Sequence, residues 1–197
     1  LLGGPASSVS LSPLIHNILF KAHGIDALYA TFPTEDLHDA FKNLSSIGVE
    51  AFSVTAPWKK DILAYADDTQ EIAKRLQSSN TLVRTDKGWT AYNTDVAGIV
   101  VGYQFLKECQ SAAIIGSGGV APAMIDACNQ AGIENITIYA RNEQARSELA
   151  KRFGVSHEPS LSTMPKRSAS PSSPKPSCAL PLRTNRLTSV MPCASGS

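Results

Sequence analysis

The chain contains 197 residues, of which 43% are hydrophobic and 18% are charged, and its formal net charge at pH 7 is +1. These values are typical of a globular protein with one large or two small domains, and the near-neutral charge gives no electrostatic reason to expect nucleic acid or an anionic membrane as a partner. No apolar run approaches the roughly 18 residues that a membrane-spanning helix needs. The first residues do not have the pattern of a secretory signal.

The cysteines give no sign of a metal site. Cys109, Cys128, Cys178 and Cys193 form no Cys-x-x-Cys pair and have no histidine at ligand spacing, so no metal is predicted. A chain of this length with ample apolar residues does not need disulfides for stability. We therefore expect a reducing, cytoplasmic location.

Short β-type runs alternate with helical patterns over residues 1–155, which is typical of an α/β protein with parallel strands. Ser12 and Pro13 favour a helix start, because serine can cap a helix and proline is tolerated in its first turn. The predicted elements up to residue 92 are a helix from Ser12 to His23, a strand over 27–32, a helix between Thr34 and Gly48, a strand over 51–55, a polar helix over 68–77, and a hairpin formed by 81–85 and 89–92.

The second half of the chain has the pattern of a βαβ unit. A strand, a glycine-rich turn, a helix and another strand follow one another here. The predicted elements are a helix from Asp95 to about Leu106, a strand over 112–115, a turn over 116–119, a helix to about Gln130, a strand over 136–139 and a helix over 143–153.

The composition changes towards the end of the chain. Residues 165–197 contain six prolines and eight serines and no aspartate or glutamate, which predicts a low-complexity, disordered tail over 161–197. The alternative is that the natural reading frame is lost near residues 162–167. A doubly wound nucleotide-binding domain should continue here with further strands and helices, so we expect that domain to be incomplete.

Several polar residues of the first hundred have the chemistry of a small-acid site. Ser10 and Ser12 lie two residues apart before a helix, so their hydroxyls can point the same way and hold a carboxylate; the alternative is that Ser12 only caps the helix. Lys59 ends the run Val-Thr-Ala-Pro-Trp-Lys. Its ammonium could stabilise an alkoxide and exchange a proton with it, or it could be an ordinary solvated lysine.

Two asparagine-threonine motifs flank the predicted hairpin. Asn80-Thr81-Leu82 leads into its first strand and Asn93-Thr94-Asp95 follows its second. Taken alone, Asp95 is an ordinary acidic residue at a helix N-terminus.

The glycine turn lies between a predicted strand and a predicted helix, the context that a pyrophosphate-binding turn requires. It consists of Gly116, Ser117, Gly118, Gly119 and Val120. Arg141 and Asn142 follow the next strand. A basic residue there accommodates a 2′-phosphate, whereas an acid would favour NAD, so Arg141 favours NADP; the alternative is a surface arginine that begins a loop.

These segments, in this order and at these distances, resemble the shikimate dehydrogenase family over residues 4 to about 153. The resemblance implies an α/β substrate-binding domain over 1–100 and a partial Rossmann-type NADP-binding domain over 101–160. It also implies a cytoplasmic enzyme that reversibly reduces 3-dehydroshikimate to shikimate with NADP, in aromatic amino-acid biosynthesis. The sequence does not determine the oligomeric state.

The resemblance also implies roles for individual residues. Lys59 and Asp95 would form the catalytic pair. The substrate would contact Ser10, Ser12, Thr55 and Asn80. The cofactor would contact Gly116, Ser117, Gly118, Gly119, Val120, Arg141 and Asn142.

Four positions depart from the family pattern: Ser53 and Ala51 stand where asparagine and glycine are common, and Ala140 and Asn142 alter the pattern around Arg141. Because serine lacks the amide donor and acceptor of asparagine, a quinate/shikimate or shikimate-like dehydrogenase of altered specificity is an alternative. A further alternative is an inactive small-acid-binding protein, since no segment here matches the family's C-terminal helix.

Overall fold

A computed structural model of the protein describes residues 1–159 and 177–181. The chain divides into two compact units, Leu1–Thr94 and a second unit that begins at Asp95. This division comes a few residues before the boundary near 100 suggested by the sequence, because the whole helix that starts at Asp95 belongs to the second unit. Along the described part of the chain, no helix has the length and apolar character needed to cross a membrane.

The first unit contains two sheets and three α-helices within its described residues. Strands β1 (Leu2–Gly3) and β2 (Phe32–Pro33) form a parallel pair. The other elements are α1 (Ser12–Ala22), α2 (Leu37–Ser46), β3 (Ala51–Ser53), β4 (Asp68–Thr69), α3 (Glu71–Leu76), β5 (Thr81–Thr85) and β6 (Gly88–Tyr92), with 3₁₀ turns at Pro5–Val9 and Asp61–Tyr65.

The expectation of parallel strands is wrong for most of the larger sheet of this unit. Its strand order is β3-β5-β6-β4, and both the β3–β5 and β5–β6 pairs are antiparallel. For β5 and β6 the reason is the hairpin, which the sequence does predict: Gly88 adopts a φ of 91°, and a tight turn can join only antiparallel neighbours. Among the described residues no tight turn joins β3 to β5, so that pairing is decided by the tertiary structure.

Two other predicted elements differ from those observed. The strand expected over 27–32 shrinks to β2, because the side chain of Asn17 satisfies the backbone of Tyr29: Nδ2 donates to the Tyr29 carbonyl at 2.9 Å and Oδ1 accepts its N–H at 2.8 Å. The helix expected over 68–77 begins only at Glu71, since the preceding residues pair with β6 as β4.

The core of the first unit lies between α2 and the four-stranded sheet. Asp36 caps α2 by accepting the N–H of Asp39 at 2.9 Å, and the helix buries Leu37 and Leu44 in this core. The buried side chains of the core are Leu2, Leu37, Leu44, Phe52, Val54, Ile62, Leu82, Trp89 and Ala91. This core supports the polar segments that follow β3 and precede β5.

Truncation of one core aromatic residue tests this packing. The ring centroid of Phe52 lies 5.4 Å from that of Phe41 and 5.3 Å from that of Trp89. We expect Phe52→Ala to lower the free energy of unfolding by about 3–5 kcal/mol, measured by urea denaturation and tryptophan fluorescence, since Trp58 and Trp89 both lie in this unit. The control is Leu28→Ala at a side chain that is 85% exposed, which should change it by less than about 0.5 kcal/mol. Equal effects would contradict the assigned core.

The second unit is built on a parallel sheet, as the sequence predicts. After α4 (Asp95–Gly102) and a 3₁₀ turn at Gln104–Glu108, its elements are β7 (Ser111–Ile115), α5 (Ala121–Gln130), β8 (Asn135–Tyr139), α6 (Glu143–Phe153), β9 (Ser156–Glu158) and β10 (Ser177–Pro181). The strand order is β10-β7-β8-β9. Read from the other edge, this is the 3-2-1-4 start of a doubly wound nucleotide-binding sheet.

Strand β10 corrects the expectation of a disordered tail over 161–197. It pairs in parallel with β7, with Cys178 opposite Ala112 and Leu180 opposite Ile114, and both Cys178 and Leu180 are buried. An unpaired edge of β7 would leave backbone groups unsatisfied. The short apolar run Cys-Ala-Leu pairs with this edge, although the proline- and serine-rich composition around it does not predict a strand. The remaining tail residues lie outside the described residues, so disorder there stays a prediction.

The structure contains a disulfide, although the length and apolar content of the chain predict no need for one. Cys109, which ends the 3₁₀ turn before β7, forms a disulfide with Cys178, and their Cα atoms are 6.2 Å apart. Cys128 is free and buried in α5. Burial raises the pKa of the Cys128 thiol to about 12, so this thiol stays protonated and unreactive at neutral pH.

Removal of the disulfide tests how β10 is held. The bond joins residues 69 positions apart, and a crosslink of this span stabilises a fold by about 4 kcal/mol in the chain-entropy account. We expect the oxidised parent to melt above Cys109→Ser, and the parent in reductant to melt like the variant. The variant itself should not respond to reductant. Non-reducing peptide mapping that finds both cysteines unlinked would contradict the bond and would agree with a reducing location.

Candidate functional site

The segment from Val54 to Lys59 is the backbone centre of the polar site in the first unit. The N–H of Thr55 donates to the carbonyl of Leu2 at 2.9 Å, and the N–H of Val54 donates to the carbonyl of Asn80 at 2.7 Å. The carbonyl of Lys59 accepts the N–H of Ser79 at 2.7 Å. These bonds place the predicted residues Thr55, Lys59 and Asn80 on adjoining strands of backbone.

A glycine allows the amino-terminal strand to approach this segment closely. A Cβ added to Gly3 would collide with Cγ2 of Thr55 and would lie 2.9 Å from Cβ of Ser7. The N–H of Gly4 also donates to the carbonyl of Ala56 at 3.0 Å. The close approach matters for the site because the chain then leads through the turn at Pro5–Val9 directly to Ser10.

Ser10 and Ser12 lie together, as the sequence predicts. The hydroxyl of Ser10 donates to that of Ser12 at 3.0 Å and accepts the N–H of Ser12 at 3.2 Å. Leu11 occupies the N-cap position of α1 without a side-chain cap, so the alternative in which Ser12 caps the helix is not what the structure has. Both hydroxyls lie at a helix start, where an anion is favoured; substrate contact stays a prediction for both.

The side chain of Asn80 links the two asparagine-threonine motifs. Its Nδ2 donates to Oγ1 of Thr94 at 2.9 Å, and its Oδ1 accepts the N–H of Thr94 at 3.0 Å. Oγ1 of Thr81 also donates to this Oδ1 at 3.0 Å. Asn80 therefore fixes the residue that precedes Asp95, a positioning role that the sequence did not suggest, while its contact with substrate stays a prediction.

Sequence reasoning missed two buried residues that support this arrangement. The hydroxyl of Ser79 lies within hydrogen-bond distance of the carbonyls of Thr81 and Tyr92, at 2.9 and 2.8 Å, and Ser79 is fully buried. Nδ2 of Asn93 donates to the carbonyl of Ser78 at 2.8 Å. Their position beside the two asparagine-threonine motifs could have indicated a supporting role. The sequence around a serine in a turn, however, does not show whether that serine is buried.

Asp95 is the first residue of α4 and belongs to the second unit. Its position at a helix start matches the ordinary structural reading of an N-terminal acid. Its pairing with Lys59 stays a prediction. Within residues 1–159 and 177–181, no three or more His, Cys, Asp or Glu side chains are grouped to hold a metal ion.

The glycine turn of the second unit lies at the carboxyl end of β7. Gly116 has a φ of 121°, in the region that favours glycine. The space beside Gly118 is open, since an added Cβ there would meet nothing within 4 Å. Helix α5 then begins at Ala121, whose N–H donates to the carbonyl of Gly118 at 2.9 Å. Backbone can therefore approach a phosphate closely at this turn.

Topology places this turn where doubly wound sheets bind their ligands. The chain continues from β7 to β8 and β9 on one side of the sheet, while β10 lies on the other side. Ligands of such sheets bind outside the carboxyl ends of the strands, at the point where the strand order reverses. The residues present therefore fit a dinucleotide, and the contact of its pyrophosphate with Gly116, Ser117, Gly118, Gly119 and Val120 stays a prediction.

The turn after β8 is attached to the glycine turn. The carbonyl of Tyr139 accepts the N–H of Gly116 at 2.9 Å. Arg141 is exposed, so its guanidinium is accessible to a ligand. Asn142 caps α6 by accepting the N–H of Ala145 at 3.0 Å, so its side chain has a structural role, and its contact with cofactor stays a prediction.

Tyr139 adds no negative charge to this region. Burial, and to a lesser extent the carboxylate of Glu158, raise the pKa of its phenol. The ring therefore stays neutral at physiological pH and does not repel a phosphate bound nearby.

The comparisons with known proteins agree with this geometry. Residues 1–82 match the family model of the shikimate dehydrogenase substrate binding domain, and residues 111–169 match a model described as NADP oxidoreductase, coenzyme F420-dependent. The shikimate dehydrogenase (NADP(+)) of Pyrococcus abyssi is 34% identical over 157 residues, which are 79% of this chain and 58% of that protein. The chain belongs to the shikimate dehydrogenase family.

Two further proteins are similar to this chain. A shikimate dehydrogenase-like protein of Haemophilus influenzae is 32% identical over 148 residues, 74% of this chain and 55% of that protein. The crystal structure of shikimate 5-dehydrogenase from Thermus thermophilus in complex with NADP(H) and shikimate has a TM-score of 0.69 at 26% identity, covering 80% of this chain and 61% of that one. The fold-class prediction is confirmed. The chain spans a little over half the length of these curated relatives.

Substitution of Gly3 tests whether the absence of a Cβ there lets β1 lie close to the Thr55 segment. Gly3→Ala should lower the free energy of unfolding of the first unit by about 1–3 kcal/mol, because the added methyl group overpacks against Thr55. The matched control is Gly98→Ala in α4, where an added Cβ meets nothing within 4 Å. The control should not lower the urea midpoint measured by tryptophan fluorescence, because alanine is favoured over glycine within a helix. A Gly3→Ala midpoint equal to that of the parent would show that β1 does not constrain the Thr55 segment.

Proposed function

We propose that this shikimate dehydrogenase family chain binds shikimate in its first unit and NADP in its second, and that it catalyses the reversible reduction of 3-dehydroshikimate to shikimate. The observation that carries the proposal is the hydrogen bonding of the Val54–Lys59 segment to Leu2 and to Ser79–Asn80. It brings the predicted substrate residues onto adjoining backbone within a region that matches the family's substrate binding domain.

Each proposed residue has a chemical task. The hydroxyls of Ser10 and Ser12 hold the substrate carboxylate, and Thr55 and Asn80 hold ring hydroxyls. The ammonium of Lys59 stabilises the oxygen of the reacting C–O bond as negative charge develops there, and it gives that oxygen a proton in the reducing direction. Asp95 is proposed as its carboxylate partner.

NADP fits the glycine turn and Arg141, and when bound it supplies the hydride. The protein's part is to hold the pyrophosphate at residues 116–120 and the 2′-phosphate at Arg141. No step of this proposal requires a metal. A cytoplasmic location is proposed with the family assignment, and cell fractionation would test it.

Adjacent lysines provide the test of the catalytic assignment. With shikimate and NADP, Lys59→Ala should lower kcat by about 10²–10⁴-fold, the usual worth of a positioned proton donor, while the shikimate dissociation constant changes far less. Lys60→Ala is the matched control, since Lys60 is the exposed neighbour and should keep the activity of the parent. The measurements are NADPH absorbance at 340 nm and calorimetric titration of shikimate. Equal losses in the two variants would remove the special role of Lys59.

Ser53 favours a second candidate, a quinate/shikimate or shikimate-like dehydrogenase. This half-buried residue of β3 pairs with Thr81, directly after Asn80, and it replaces the usual amide of the family. The chain is also similar to a Haemophilus influenzae protein that is named shikimate dehydrogenase-like. Turnover of shikimate and quinate with NADP and NAD, in the parent and in Ser53→Asn, distinguishes the candidates. Protection by shikimate against thermal melting without any turnover would instead indicate a small-acid-binding protein.

A further inference from the structure

Arg146 is a buried cation that the proposed chemistry does not use. It lies in the first turns of α6 and is only 6% exposed, although arginine is rarely buried without partners. Its Nη1 donates to the carbonyl of Ala140 at 2.6 Å, and its Nε donates to Nδ1 of His157 at 3.1 Å. A planar guanidinium presents several donors in a fixed geometry, so one side chain ties the helix both to the turn after β8 and to β9.

The carbonyl that Arg146 holds belongs to the residue immediately before Arg141. The same turn is fixed on its other sides by backbone bonds. The N–H of Ala140 donates to the carbonyl of Glu158 at 3.2 Å, and the N–H of Gly116 donates to the carbonyl of Tyr139. The turn after β8 is therefore held by backbone hydrogen bonds to Gly116 and Glu158, and Arg146 adds a side-chain hydrogen bond to it.

We propose that Arg146 is a positioning residue for cofactor selection: it fixes the Ala140 carbonyl, and with it the direction in which Arg141 meets a 2′-phosphate. This inference rests on the proposed binding of NADP. The positive charge of Arg146 also favours binding of a phosphate near the turn, because a buried cation is only weakly screened by solvent. The proposal gives Arg146 no direct contact with the cofactor.

A general structural role and a positioning role predict different binding data. 2′,5′-ADP and 5′-AMP differ only by the 2′-phosphate, so the ratio of their dissociation constants isolates recognition of that group. If Arg146 only supported the fold, its loss would weaken both nucleotides together. If it positions Arg141, its loss lowers the preference for 2′,5′-ADP and leaves 5′-AMP binding nearly unchanged.

The experiment is calorimetric titration of the full chain with both nucleotides. Arg146→Met should lower the preference for 2′,5′-ADP by about tenfold or more, the effect expected from loss of a hydrogen bond to a charged group. Arg146→Lys should be intermediate, since an ammonium cannot reproduce the guanidinium fork. The matched control is Arg152→Met in the same helix, at an exposed arginine, which should keep the preference of the parent. Circular dichroism checks folding.

A second variant keeps the test decisive if Arg146→Met does not fold. His157 is exposed, so His157→Ala removes the Nε partner of Arg146 without opening the core, and it should lower the preference by about threefold, as loss of one weaker hydrogen bond would. Arg146→Lys and His157→Ala variants that keep the full preference of the parent would then overturn the proposal.

The remaining outcomes separate this inference from the proposed function. A parent chain that prefers 2′,5′-ADP, together with an Arg146→Met variant of equal preference, overturns the positioning role alone. Equal weakening of both nucleotides also overturns it, in favour of a general structural role. A parent that binds the two nucleotides equally overturns NADP recognition itself, and the inference with it.

Discussion

Backbone hydrogen bonds on both sides of the Val54–Lys59 segment are the constraint on which the first unit depends. One side of the segment pairs with Leu2 and the other with Asn80 and Ser79, so backbone bonds hold its position in addition to the packing of Val54 in the core. Gly3 permits the approach because no Cβ could fit beside Thr55. Residues far apart in the chain therefore meet on fixed backbone, which is the arrangement that a precise binding site requires.

The second unit uses the same principle at the end of a parallel sheet. Strand β7 pairs with β8 on one side and with β10 on the other, which places the glycine turn at the reversal of strand order. The bond between Gly116 and Tyr139 joins this turn to the turn that bears Arg141. A shift of β8 relative to β7 would therefore strain this bond and change the distance between the glycine turn and the turn that bears Arg141, where the pyrophosphate and the 2′-phosphate are proposed to bind.

Polar side chains next to the candidate substrate and cofactor sites mainly form hydrogen bonds that hold neighbouring backbone in place. The carboxamide of Asn80 holds Thr94, the hydroxyl of Ser79 contacts two carbonyls, and Arg146 holds Ala140. Buried polar groups must find partners within the protein, since each unsatisfied group costs stability. The same bonds that satisfy them also restrict the motion of the turns, so stability and orientation of the sites have a common cause.

The sequence by itself determined the features that depend on local chemistry: the helix start at Ser12, the hairpin at Gly88, the βαβ unit, and the glycine turn with Arg141 after the next strand. Only the tertiary structure decided the antiparallel pairing of β3 and β5, the replacement of a strand near Tyr29 by bonds from Asn17, and the recruitment of β10 from a proline-rich tail. The reason is that the hydrogen-bond partners of a strand come from distant segments of the chain. A short run such as 177–181 has no recognisable β-strand pattern of its own and becomes a strand because it pairs with the edge of β7. For the same reason the supporting hydrogen bonds of Asn80 and Arg146 could not be deduced from their neighbours in the chain.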